Sequence, residues 1–145
     1  MKANELMIGD WVYNTHNRQN EQVAEIGSGL VMLAYNDLYE YDEIEPIALT
    51  AEILEQNGFG LNETREDTPR YVWFGESNRN DTIVSVSFYE PPVHGVKALT
   101  KIDTDCSHGC GVNNVHNCDI EYVHELQHAL RLCGIDIDIK LKKED

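Results

Sequence analysis

Only one stretch of this chain carries a helical period long enough to form a layer of its own. From Ile120 to Cys133, placing residues at about 100° each, Ile120, Val123, Leu126, Ala129, Leu130 and Cys133 fall on one arc. Glu121, His124, Glu125, His128 and Arg131 fall on the opposite one. Asp119 precedes the stretch as a candidate N-cap and Gly134 stops it, so the pattern predicts a C-terminal helix over 120–133. The next seven residues, Ile135-Asp-Ile-Asp-Ile-Lys-Leu141, alternate strictly, as a half-buried strand should.

Everything before that helix is cut into short, β-rich runs. Leu6 to Tyr13 places an apolar group before a Gly-Asp turn and then opens a strand. Glu21 to Ile26 and Leu30 to Tyr35 follow, joined by Gly27-Ser28-Gly29 at hairpin length, and Leu38 to Asp42 adds a further short run. The expected result for residues 1–48 is a small SH3-like barrel or curled antiparallel sheet. Pro46 breaks the pattern, Thr50 is a ready N-cap, and Gly58 a C-terminal stop, which predicts a short helix over 51–57. Polar residues 62–69 read as a loop. Arg70 to Phe74, Thr82 to Tyr89 (ended by Pro91-Pro92) and Val96 to Ile102 read as a second antiparallel sheet, covered by the C-terminal helix within 49–145. The fold class is therefore α+β, with two subdomains in one compact unit, as suits a chain of 145 residues.

Charge narrows the function classes. The chain holds 11 Lys and Arg against 26 Asp and Glu, a net charge of −15. Direct binding to a nucleic-acid backbone or an anionic membrane needs a basic footprint, so neither is expected. No run of 18 apolar residues and no basic-then-apolar leader is visible, which makes the cytoplasm the expected location. Asp37, Glu40, Asp42, Glu43 and Glu45 crowd together with Tyr35, Tyr39 and Tyr41. Such a stretch can imitate a nucleic-acid backbone or dock a basic partner, although its plainer role is a solvated strand edge kept from sticking by charge.

Two groups of residues carry candidate chemistry. His124-Glu125-Leu126-Gln127-His128 spells H-E-x-x-H, in which two imidazoles at i and i+4 share a helix face, suited to zinc. Glu125 would act as general base on a metal-bound water. The extended zinc-peptidase pattern would need Gly at 131 and His at 134, where the chain has Arg131 and Gly134. The plainer reading is a solvated helix face, with Glu121 early and Arg131 late as the helix dipole prefers. The second group is Cys106, His108, Cys110, His116 and Cys118, thiols and imidazoles that together suit a tetrahedral structural zinc. Their C-x-H-x-C and H-x-C spacing matches no standard zinc framework, and the plainer reading is a Gly-rich loop with free thiols. Cys133, on the apolar arc, reads as a core residue. No cofactor is expected, zinc being the one metal these residues would suit.

Three segments together carry a resemblance: Lys2 to Val12, Ile44 to Phe59, and Tyr122 to Leu132. They resemble an uncharacterised family of small acidic proteins from gut Bacteroidales, their phages and integrated mobile elements. The resemblance implies a cytoplasmic accessory protein and carries no known activity or cofactor. Similar members often keep a Val-His-x-Leu-Gln core without the full H-E-x-x-H, which implies that His128 is incidental. The combined expectation is a non-enzymatic accessory or protein-interaction protein of a phage or mobile element, acting on an unidentified protein partner. The alternatives are a minimal zinc-dependent hydrolase built on His124, Glu125 and His128, a structural zinc-binding protein, or an acidic nucleic-acid mimic.

Overall fold

The computed structural model describes residues 1–62, 68–77, 80–106, 114–135 and 137–141. It is an α+β fold of two five-stranded antiparallel sheets and two α-helices. The first sheet is a curled meander of β1 (Trp11–Asn14), β2 (Gln19–Ile26), β3 (Leu30–Leu33) and β4 (Leu38–Glu40). After a 3-10 turn at Tyr41–Glu43, β5 (Ile44–Pro46) returns to pair with β1, so the order is β4-β3-β2-β1-β5, the connectivity of an SH3-like barrel. Its core is small and aliphatic, with Val12, Val23, Val31, Leu33 and Ile44 almost wholly buried and Tyr39 beside them.

Helix α1 (Ala51–Gln56) forms where local chemistry asks for it. The Thr50 hydroxyl accepts from the Ile53 N–H at 3.2 Å, and Gly58 takes the left-handed conformation (φ +86°) just past the C-terminus. The second sheet follows in the order β10-β9-β8-β7-β6. Its strands are β6 (Gly60–Asn62), β7 (Arg70–Ser77), β8 (Asn80–Val93), β9 (Val96–Cys106) and β10 (Asn114–Ile120). Helix α2 (Val123–Leu132) lays Val123, Leu126, Ala129 and Leu130 on this sheet against Val84, Val86 and Ile102.

Three differences from the sequence reading bear on the surroundings of α2. The C-terminal helix starts at Val123 rather than Ile120, because β10 extends to Ile120 and pairs Asp119 with Leu99 and Ile120 with Ala98. Asp119 is thus a strand residue and not the cap. Strand β8 runs through Pro91-Pro92 to Val93 instead of ending before them. β7 pairs no further along β8 than Ser87, so the prolines lie where β8 has β9 as its sole partner and few ladder bonds to lose. The described residues of the alternating segment after Gly134 form no strand. Among its described residues Ile139 is buried and Ile135, Ile137 and Leu141 pack partly on the core, so the alternation of burial holds without a ladder. Side chains tether its backbone instead: the Trp11 Nε1–H donates to the Ile139 carbonyl at 2.6 Å, and the Asn57 Oδ1 accepts from the Lys140 N–H at 2.7 Å while its Nδ2 donates to the Lys140 carbonyl at 2.9 Å.

Candidate functional site

Helix α2 has a second neighbour on its polar side, the entry to β1. The turn at residues 7–10 brings Asp10 there with its side chain fully buried. The Asp10 Oδ2 accepts from the Met7 N–H at 2.7 Å and from the His128 Nε2–H at 2.6 Å, while Oδ1 accepts from Arg131 Nη1 at 3.0 Å. A buried carboxylate is costly unless paired and hydrogen-bonded, and here three donors on two elements satisfy it. One turn away, the Gln127 amide reads the backbone of the same turn. Its Oε1 accepts from the Trp11 N–H at 2.9 Å and its Nε2 donates to the Gly9 carbonyl at 3.1 Å. Gly9 has φ +92°, and a Cβ there would come within 2.9 Å of the Arg131 guanidinium, so both conformation and space favour glycine.

The helix face read as solvated is therefore partly covered. Of its residues His124 is 7% exposed, and His128 and Arg131, which keep some exposure, turn toward Asp10; Gln127 beside them is also 7% exposed. The correction has a plain cause: hydrogen-bonding side chains are as useful against a backbone turn as against water, and periodicity alone does not separate the two.

His124 sits in the same region, its ring stacked on Tyr122 (centroids 5.8 Å, interplanar 13°) and edge-on to His128 (5.5 Å, 77°). Its Nδ1 is buried without a hydrogen-bond partner. Burial pushes its pKa below the usual histidine value, against the opposing pull of Asp10 and Glu125. An open cavity of about 540 Å³ lies beside these rings, lined by Glu5, Tyr122, His124, Glu125 and His128 among others. Glu125 itself faces its own helix start, its Oε1 accepting from the Tyr122 N–H at 3.1 Å and the Glu121 N–H at 3.3 Å. The H-E-x-x-H residues are thus brought together, but Glu125 bonds the helix N-terminus and His128 Nε2 bonds Asp10. Among the described residues no three His, Cys, Asp or Glu side chains are grouped to hold a metal ion.

The chain matches no family model, no curated protein and no solved structure.

The described members of the Cys and His group lie on two strands. Cys106 ends β9, while His116 and Cys118 lie on β10 opposite Ile102 and Thr100. His108 and Cys110 lie outside the described residues. Cys118 and Cys133 are half-buried free thiols packed on the main core, and burial pushes the Cys133 thiol pKa up. In the acidic stretch, Tyr39 belongs to the first core, and the Tyr41 hydroxyl donates to the Gly27 carbonyl in the β2–β3 turn. Sequence reasoning missed Asp10 and Gln127. The one local signal for Asp10 is the Gly-Asp turn before Trp11; its partners lie more than a hundred residues away.

Proposed function

We propose that this chain is a non-enzymatic accessory protein that works in the cytoplasm by binding another protein, in the phage or mobile-element setting its resemblance implies. The observation that carries the reading is the inward use of the motif helix: Gln127, His128 and Arg131 bond the β1 entry, and Glu125 bonds its own helix start. Catalysis by this motif would need the Glu125 carboxylate and both imidazoles free for a metal and its water. With Glu125 and His128 engaged in these bonds, an acidic surface with net charge −15 is the feature this reading puts to use, and it suits a basic protein surface better than a polyanion. No helix among the described residues is long and apolar enough to cross a membrane.

The minimal zinc hydrolase is the second reading, favoured by the one cavity that His124, Glu125, His128 and Glu5 share. Thermal melting with and without equimolar zinc, on the parent and on Glu125→Gln, separates the two. The interaction reading expects no zinc-dependent rise in Tm, and a lower Tm for Glu125→Gln because the charged cap is lost. A zinc-dependent rise, together with peptide hydrolysis that Glu125→Gln abolishes at unchanged Tm, would overturn it.

A further inference from the structure

A strand with one face on a core ordinarily turns polar side chains outward. In the first sheet the outward positions break this rule at one edge. β3 and β4 pair Met32 with Leu38 and Leu30 with Glu40, while the alternate residues Val31, Leu33 and Tyr39 fill the core. Leu38 is 57% exposed, Leu30 43%, and Ile8 from the turn before β1 65%. Together with Met32 and Ile26 they line an open groove of about 700 Å³ beside the Gly27-Ser28-Gly29 turn. Hydrogen bonds hold that wall in place: the Gly27 N–H donates to the Leu30 carbonyl at 2.9 Å, and the Tyr41 hydroxyl reaches the carbonyls of Gly27 and Leu30. β4 is the edge strand, so nothing within the sheet covers its outer side.

Along the strands that build this apolar floor the charge has one sign. Between Gln19 and Pro46 the chain has seven Asp and Glu and no Lys, Arg or His. Glu25 is the one charged residue among the described residues lining the groove, and Glu40 lies across from Leu30. Aliphatic contacts would supply affinity and the acidic border would select and steer a cation-bearing partner. We infer that this groove docks a basic, amphipathic protein segment, with aliphatic or aromatic anchors on Ile8, Leu30 and Leu38 and Lys or Arg side chains against Glu25 and Glu40. The inference rests on the interaction reading above and names the surface and the partner's chemistry.

The test is selection of a random 12-residue phage-displayed peptide library on the immobilised full chain, followed by fluorescence anisotropy on synthetic copies of the enriched peptides. Expected are peptides rich in Lys or Arg around apolar residues, with binding weakened at least tenfold by Ile8→Ser or Leu38→Ser. Leu132→Ser, at an exposed site on α2, should leave affinity within twofold, and raised salt should weaken it. Circular dichroism melts confirm that each variant folds. Enrichment of neutral or acidic peptides, or of peptides indifferent to Ile8→Ser and Leu38→Ser, would overturn the groove while leaving an interaction protein with another face. Failure to enrich any peptide would overturn the groove; the zinc and Glu125→Gln melts then judge the broader reading separately.

Discussion

Helix α2 and the β3–β4 edge invert each other. The helix turns polar side chains toward a protein neighbour, where Asp10, Gln127, His128 and Arg131 bond across, while the sheet edge turns Leu30 and Leu38 toward water. Polarity in sequence thus tells what a position can bond with, not whether it is covered. The buried polar face is specific, since each bond fixes a donor to one acceptor, whereas the exposed apolar face accepts any matching shape.

Substitutions can break this contrast, and the apolar side of α2 sets the scale. Leu126→Ala, at a fully buried site, should cost about 3 to 4 kcal/mol in urea denaturation. On the polar side, Asp10→Asn should cost about 3 kcal/mol, near the low end for breaking a buried ion pair because His128 and Arg131 are partly exposed and can rehydrate. A loss under about 0.5 kcal/mol would mean that the polar face is decoration. Gln127→Ala strands the Trp11 N–H and the Gly9 carbonyl, and about 2 kcal/mol should go with it, with Gln22 Nε2 still serving Gly9 at 3.1 Å.

How far these features could be read from the chain depends on how local their causes are. Helix α1 was legible because Thr50, its first turn and Gly58 are neighbours in sequence. The meander of β1 to β4 was legible for the same reason, its turns being short. The start of α2 was misread because Asp119 is a good cap locally, while the pairing that claims it as strand comes from Leu99, twenty residues earlier. The fate of His128 was out of reach, since nothing near it in sequence announces Asp10. The candidate metal residues were legible as residue types, but their spacing did not show that β9 and β10 carry Cys106, His116 and Cys118.

A pH titration sharpens the comparison at His124. Burial lowers its folded pKa, so the unfolded chain binds a proton more readily than the native one once the pH falls below about 6.5. Its contribution to stability is full above that pH and is lost as the pH falls toward the lowered folded value. His124→Phe, which keeps a ring against Tyr122, should flatten the decline of urea stability between pH 7 and 5 relative to the parent; parallel curves would refute a neutral, buried His124. The smallest effect is expected at the open edge. Leu38→Ser should shift stability by less than about 0.5 kcal/mol, because its side chain already faces solvent.

The tether from Trp11 to Ile139 also sets a schedule. The two residues stand 128 positions apart, and synthesis at roughly 5 to 20 residues per second separates them by on the order of ten seconds. The residues of the first sheet, whose pairings all lie between 11 and 46, are all synthesised long before α2. For that interval Asp10 has neither His128 nor Arg131, so the carboxylate that ends as the most enclosed charge in the site starts out hydrated. Closure is therefore a late event, in which α2 reaches back to a turn made more than a hundred residues earlier.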